Sequence, residues 1–272
     1  MENDIDADRL LNQLSQSEIV IYGSGSVGRR FLNGLKRNGL KEQIVCFAVS
    51  SYLGEKYEIE GIPVQTVEEL MIHDNTIVCI AVHEALRDEM IQILKHRKIE
   101  KYIWIYPFLY HLLLGHPIET DRDVDVNKII QSADDYRVAV RYMAIEQYFG
   151  KSKTGYDLYV RSHLVHCEKK TAEKRLQKFC DLIRSWEKNG MTPDSRILIN
   201  RQYQIIDGHH RIAAAKYFKQ QKIKCNIFPD EIPLEELHGK EAVLTEQILR
   251  VGGFSEAEIK IIDAKNKYIK GE

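Results

Sequence analysis

The sequence predicts an α/β protein of two domains, the first built on a parallel sheet and the second of mixed α+β character. Three observations carry that prediction. Near-continuous apolar, β-prone runs alternate with helical patterns through the N-terminal part, as in a parallel sheet covered on both faces. A separate strand–turn–helix pattern lies at 196–215. At 272 residues the chain exceeds a typical single domain. The expected layout is a first domain over 1–115, a helical connector over 116–149, a second domain over 150–235 and C-terminal helices over 236–272.

Leu10, Leu11 and Leu14 share one face of a short helical pattern within 1–18. Glu18-Ile19-Val20-Ile21-Tyr22 reads as a strand, and it runs into Gly23-Ser24-Gly25-Ser26-Val27-Gly28. The helix after it carries Val27, Phe31, Leu32 and Leu35 on its apolar side. G-x-G-x-x-G between a strand and a helix is the context that the dinucleotide fingerprint requires. Runs at 43–49, 76–82 and 101–106 read as three more strands, with helical patterns at about 66–73 and 84–97. The fingerprint also expects an acid at the end of the second strand to hold ribose hydroxyls. That strand ends Ala48-Val49-Ser50-Ser51, with no acid before Glu55 and no arginine for an extra phosphate. Gly23, Gly25 and Gly28 therefore form a possible second ligand site, for a nucleotide, a nucleotide-sugar or a coenzyme A fragment, or they simply make a close turn. His83-Glu84, after the strand ending at Val82, reads first as a helix start and second as a catalytic dyad.

This region resembles the small Rossmann-like modules of enzymes that build bacterial surface polysaccharides. The resemblance rests on the glycine run, on Gly61-Ile62-Pro63-Val64 and on the Ala81-Val82 strand end, and it covers most of 18–106.

Pro107, Pro117 and the acidic run Glu119-Thr120-Asp121-Arg122-Asp123-Val124-Asp125 read as the close of the first domain and the start of a connector. Leu112-Leu113-Leu114 should pack back on the first domain. Residues 124–149 read as helix, with Ile129, Ile130, Tyr136, Val140, Met143 and Ile145 on a broad apolar face. The clearest amphipathic helix spans 171–189, where Ala172, Leu176, Phe179, Cys180, Ile183 and Trp186 recur at spacings of three and four. Asn189-Gly190 ends it. Lys222-Ile223-Lys224-Cys225-Asn226-Ile227-Phe228 alternates as a half-buried strand. The tail from Pro233 reads as helices, the last opened by a capping box, Ser255-Glu256-Ala257-Glu258.

Ile205-Ile206-Asp207-Gly208-His209-His210-Arg211-Ile212-Ala213-Ala214-Ala215 is the stretch that points to chemistry. A strand feeding a glycine turn that opens a helix is a ready anion site, because first-turn N–H groups point outward with the positive end of the dipole. Arg211 adds a fork of donors suited to phosphate, and His210 a donor that titrates near neutral pH. Asp207-Gly208-His209-His210-Arg211 resembles the phosphate-binding turn of the ParB/sulfiredoxin-like fold, over roughly 150–235. It is most similar to the free serine kinases of that fold, which have Asp-Gly-His, a polar residue and Arg. His209 stands where a sulfiredoxin has its catalytic cysteine, which counts against sulfiredoxin chemistry. Ile212 replaces the second arginine of the ParB box.

The resemblance implies a phosphate or nucleotide held by Gly208, His209, His210 and Arg211. It places Asp207 and His210 at the transferring phosphate, with Asp207 orienting the acceptor hydroxyl or ligating Mg²⁺. These kinases also use an upstream glutamate, for which Glu168 is the leading candidate and Glu173 the second. The implied cofactor is ATP or ADP with Mg²⁺, and the implied partners are a nucleotide and a small metabolite or sugar-like acceptor; a role in surface polysaccharide assembly is suggested only by the pairing of this domain with the Rossmann-like module. Two alternatives stay open: a ParB-like nucleotide-switched protein that engages DNA, and an NAD(P)-dependent oxidoreductase running on the first domain.

Composition narrows the partners. With 39 basic and 40 acidic residues the formal charge is −1, which gives no global pull towards nucleic acid. No apolar run reaches the length that spans a bilayer. The acidic N-terminus lacks the basic and apolar regions of a signal peptide. The five cysteines (46, 79, 167, 180 and 225) are odd in number, scattered and free of C-x-x-C, as expected for thiols in a reducing cytoplasm. His163, His166 and Cys167 could supply half a zinc site, but the adjacent His209 and His210 are poorly disposed to complete it. A homo-oligomer is left open.

Overall fold

Apolar runs that leave no polar face must be buried on both sides, and in the first part of the chain residues 19–22 and 77–80 are buried at every position. The computed structural model describes residues 6–51, 57–132, 134–190, 196–230 and 243–271. The chain is mixed α/β and divides into two units, Met1–Gly115 and His116–Glu272. The first unit runs α1 (Ala7–Ser15), β1 (Glu18–Tyr22), α2 (Ser26–Arg37), β2 (Ile44–Val49), β3 (Glu58–Ile59), β4 (Ile62–Thr66), β5 (Thr76–Ile80), α3 (Glu84–His96), β6 (Tyr102–Trp104) and α4 (Leu109–Leu114). Its strand order is β3-β4-β2-β1-β5-β6. All neighbours are parallel except β3 and β4. The chain thus steps outward from β1 through β2 to β4, then resumes on the other side of β1 with β5 and β6. Val20, Tyr22, Cys46, Ala48, Val78 and Ile80 pack on Met90 and Leu94 of α3.

Two local readings differ from the structure. The helix expected at 66–73 is a single tight turn, Val67–Glu69, closed by a capping box between Thr66 and Glu69. Leu70 is already extended beyond it, so no second helical turn follows. The β3–β4 hairpin had no strand signal, because Pro63 cannot donate to a ladder. The chain reverses at Glu60 and Gly61, with φ of 53° and 78°. Positive φ at both central residues makes a tight hairpin turn, usually announced by Asn-Gly or Asp-Gly.

The second unit contains β7 (Glu119–Asp125), α5 (Arg137–Tyr148), α6 (Gly155–Leu164), α7 (Lys169–Asn189), β8 (Ile197–Asn200), β9 (Ile205–Asp207), α8 (His209–Tyr217), β10 (Lys222–Phe228), α9 (Glu246–Val251) and α10 (Glu256–Lys270). Its sheet has the order β7-β10-β8-β9. β10 is parallel to β8 and antiparallel to β7, and β8 is antiparallel to β9.

The segment read as a connector over 116–149 is therefore part of this unit, and the unit does not begin near Gly150. The acidic run is strand β7, and its charges are met across the ladder. Lys224 pairs with Asp123 at 2.9 Å, Lys222 stands opposite Asp125, and Arg196 pairs with Asp121. Opposite charges facing each other support strand pairing, so the run is a strand only because its basic partners lie far along the sequence. The long helix expected over 124–149 is confined to α5. Residues before it form the turn Val126–Lys128 and an isolated bridge from Ile130 to Gln204.

Helix α5 is the hub of the unit. Gly155 opens α6 so close to it that a Cβ there would lie 2.1 Å from the Met143 carbonyl oxygen. Ala213, Ala214 and Ala215 of α8 are fully buried in the same core as Val140, Met143 and Ala144 of α5, with Ile197, Ile199, Ile223 and Cys225 of the sheet. Small side chains on α8 allow that close approach, and the approach fixes where α8 begins. Among the described residues no helix is long and apolar enough to cross a membrane.

Candidate functional site

Strand β9 delivers Asp207 to the edge of a turn that only glycine can make. Gly208 has φ 109° and ψ 22°, and a Cβ there would meet Ile197 Cγ2 at 2.4 Å. The position is both left-handed and sterically closed. Helix α8 then starts at once, its first bond running from the Ile212 N–H to the Gly208 carbonyl at 2.9 Å. The amides of residues 209–211 thus fall in the first turn, where no intrahelical acceptor exists. The Asp207 carboxylate is half-buried and has no hydrogen bond or ion pair among the described residues.

The two histidines have different surroundings. His209 is 6% exposed, with Nε2 3.6 Å from Asp135 Oδ2. Burial first, and then the Arg137 charge, push its pKa down to about 4, outweighing the pull of Asp135. The ring is therefore neutral at pH 7 and braces the turn from inside. Anything His209 gives to an anion comes from its backbone N–H. Asp135 is itself buried, which alone would raise its pKa. His209 and the Arg137 guanidinium, 2.7 Å away, outweigh that and hold it well below the usual carboxylate range.

His210 is half-buried. Its Nε2 lies 2.8 Å from the Tyr159 hydroxyl, and its ring meets Phe179 edge-on at 4.6 Å. Burial pushes the Tyr159 hydroxyl up to about 12, so it stays protonated and can donate to the imidazole. Arg211 is half-buried, and its Nη1 donates to the Arg196 carbonyl at 3.0 Å. That bond anchors one edge of the guanidinium fork beside the turn.

The structure does not bring the expected upstream glutamate to this place. Glu168 is exposed at the N-cap of α7. At the rise of an α-helix it stands about 16 Å along the axis from Phe179, the α7 residue that touches His210. Glu173 is exposed too and pairs loosely with Lys169, at 3.9 Å. His163 stacks on Tyr159 at 4.5 Å, and its Nδ1 lies 3.0 Å from the Tyr159 carbonyl oxygen. Among the described residues no group of three or more His, Cys, Asp or Glu is placed to hold a metal ion.

Sequence reading missed the residues behind the turn: Asp135, Arg137, Arg141, Tyr159 and Arg175. One signal was present. Arg141 interrupts an otherwise apolar helical run, Val138-Ala139-Val140 before it and Met143-Ala144-Ile145 after it. A charge inside such a run is a candidate for burial with a function.

In the first unit the three fingerprint glycines separate into two kinds. A Cβ at Gly23, where φ is 122°, would meet the Ala81 carbonyl oxygen at 2.7 Å, and one at Gly28 would meet the Gly23 carbonyl oxygen at 1.8 Å. Both are required by the turn itself. Gly25 is exposed, has φ −77°, and would have nothing within 4 Å of a Cβ. Beside the turn lies a cleft of about 220 Å³ lined by Tyr22, Gly23, Val49, Ser50, Val82 and Leu86, among others. It sits at the carboxyl ends of β1, β2 and β5. Where the fingerprint expects an acid, Ser50 bonds the Tyr22 hydroxyl at 2.8 Å. His83 caps α3, its Nδ1 accepting from the Ala85 N–H at 3.4 Å, which fits a helix start.

Comparison with family models, curated proteins and solved structures gave no match to this chain.

Proposed function

We propose that the chain is a cytoplasmic nucleotide-dependent phosphotransferase that moves a phosphoryl group from ATP or ADP to a hydroxyl of a small metabolite or sugar-like acceptor. One observation carries the reading. Five consecutive residues, Asp207 to Arg211, combine a carboxylate without a partner among the described residues, a left-handed glycine and the first turn of an α-helix.

Phosphoryl transfer asks for positioned phosphates, neutralising positive charge and a carboxylate that orients the attacking hydroxyl. On this reading the amides of residues 209–211 hold phosphate oxygens, with Arg211 and His210 beside them. Asp207 would hold Mg²⁺ or orient the hydroxyl. Magnesium is usually bound by one or two carboxylates together with substrate phosphates, and a lone, half-buried Asp207 suits that donor set. When bound, the ion supplies charge neutralisation on the phosphate oxygens. His209 keeps the turn in shape as a neutral ring against Asp135. We read this unit as ParB/sulfiredoxin-like, in the serine kinase-like branch, from the turn and its strand–turn–helix setting.

A second ligand in the first unit is favoured by Gly25. It is the N-cap of α2, where glycine is favoured, and its open surroundings leave room for a ligand to approach the backbone closely. The outward-and-back strand order supports a Rossmann-like reading, with a nucleotide or nucleotide-sugar at Gly23, Gly25 and Gly28 and a role in surface polysaccharide synthesis.

The test is transfer or hydrolysis of phosphate from ATP and ADP with Mg²⁺ by the full chain. Asp207→Asn and Arg211→Ala are expected to abolish it. Undiminished activity in both variants overturns the proposal.

A further inference from the structure

Helices α5 and α7 carry two guanidinium groups with donor capacity that the described protein does not use. Arg141 is 8% exposed. Its Nη1 donates to the Arg137 carbonyl at 2.8 Å, and its Cζ lies 5.9 Å from the centre of the Tyr159 ring. Its Nε is enclosed and has no hydrogen-bond partner among the described residues. Arg175 is half-buried, and its Nε is likewise enclosed without a partner among them. Asp135, the acid whose charge reaches Arg141, is already bonded to Arg137 at 2.7 Å.

Both arginines bear on the residues that close the first turn of α8. Arg175 stands one helical turn before Phe179, which stacks on Tyr159 at 5.6 Å and touches His210 at 4.6 Å. Tyr159 in turn hydrogen-bonds His210. The charges of Arg141 and Arg175 both act on the Tyr159 hydroxyl, against the effect of its burial. Arg141, His210, Tyr159 and Arg175 thus form one cluster drawn from four helices.

A guanidinium has donors and no acceptor, so only an acceptor can complete it. Enclosed donors without partners are rare in native proteins and call for an explanation such as a bound ion. His209 is neutral here and Asp135 is committed, so the cluster keeps an excess of positive charge. A planar fork of donors matches the two oxygens of a carboxylate or a phosphoryl group.

We infer that Arg141 and Arg175 together receive an oxyanion, distinct from the one read at the first turn of α8. The ligand of this unit then carries two anionic groups. Phosphoryl and carboxylate share the required chemistry, and they correspond to a second phosphate of the donor or an acid group of the acceptor. That this oxyanion is the second of two rests on the phosphate reading of the turn, whereas the subsite itself rests on the arginine cluster alone.

The test is isothermal titration of the full chain with orthophosphate, pyrophosphate and malonate, repeated on Arg175→Gln and Arg141→Lys. Pyrophosphate or malonate is expected to bind more tightly than orthophosphate. Arg175→Gln should weaken that binding about tenfold or more, as for loss of one charge-assisted hydrogen bond. The unliganded variant should melt no lower than the wild type, since an uncompensated charge has been removed. Arg141→Lys keeps the charge and loses the fork, and it should weaken the same anion. A loss confined to pyrophosphate assigns a phosphoryl group, and a loss with malonate a carboxylate. Wild-type affinities in both variants, or no binding of any of the three anions by the wild type, overturn the inference. Anion binding that depends on Arg175, together with undiminished phosphotransfer in Asp207→Asn and Arg211→Ala, would overturn the function proposed for the turn and leave the subsite standing.

Discussion

The Tyr159 hydroxyl and His210 Nε2 meet at 2.8 Å, which ties the middle of α6 to the first turn of α8. The bond joins a residue that no motif marks to one that the motif names. It gives the imidazole a defined orientation at the turn, where a free rotamer would otherwise have to be ordered by the ligand.

Tyr159→Phe keeps the ring packed on Phe179 and His163 and removes only the hydroxyl. A net loss of about 1 kcal/mol in stability is expected, the ordinary worth of one hydrogen bond. Urea denaturation measures it. In the double variant Tyr159→Phe, His210→Ala the two effects should fall short of their sum, because they delete one shared interaction.

Stability should depend on pH through His209. Its folded pKa is about 4, against 6.5 for the free side chain, with burial as the main cause. The unfolded chain therefore binds the proton more readily, and stability falls as pH drops from 6.5 towards 4. The total for this one ring is about 3 kcal/mol. Asp135 acts in the same direction at lower pH: its carboxylate is depressed, so its contribution is lost as pH falls below its ordinary 3.8. Melting temperature followed from pH 7 to 4 should show the slope, and His209→Gln should flatten it. An equal slope in the variant would place the titration elsewhere.

The glycines should sort by geometry. Gly208→Ala puts a Cβ against Ile197 at φ 109°, and Gly28→Ala puts one against the Gly23 carbonyl oxygen. Each is expected to cost about 2 kcal/mol or more, through strain and overpacking. Gly25→Ala meets nothing and should cost no more than about 1 kcal/mol, the difference between glycine and alanine at an N-cap. If the first unit binds a nucleotide, Gly25→Ala should nonetheless reduce the rise in melting temperature that the nucleotide produces.

Glu258 joins two helices at once. It accepts from Arg161 of α6 at 2.7 Å and from the Ser255 backbone N–H at 2.7 Å, closing the capping box of α10. The Arg161 hydrogen bond first, and then those of Ser255, lower its pKa to about 2. Its contribution is thus present above 4.5 and lost as pH falls towards 2. Glu258→Ala removes the bonds to both Arg161 and Ser255 and should destabilise the protein by about 1 kcal/mol or more, whereas Glu258→Gln keeps the capping box and should cost less; chemical denaturation at neutral pH checks it.

Several elements could be read directly because their signals are local. Glu18–Tyr22 is buried from Ile19 onward, and its run of β-branched residues says so without a partner in view. The amphipathic spacing of α7 and the capping box of α10 are equally self-contained. Helix α6 was missed because its polar and apolar residues are not segregated. Its place comes from Gly155, which lets it lie against the Met143 carbonyl. Strand β7 read as a connector because an acidic run has no reason to pair until Lys222, Lys224 and Arg196 are beside it.

The candidate site divides the same way. Sequence alone determined the turn: Asp207, Gly208 and the histidines lie next to one another, and the chemistry of a strand–glycine–helix junction is contained in consecutive residues. Only the tertiary structure decided what each side chain does there. Asp135, Arg137, Arg141, Tyr159 and Arg175 come from three helices and a loop far away in the chain, so no spacing rule connects them to the turn. His209 and His210 are neighbours of identical chemistry. Their difference, one neutral and inward against Asp135, the other held by Tyr159, comes from burial and from partners that only packing supplies.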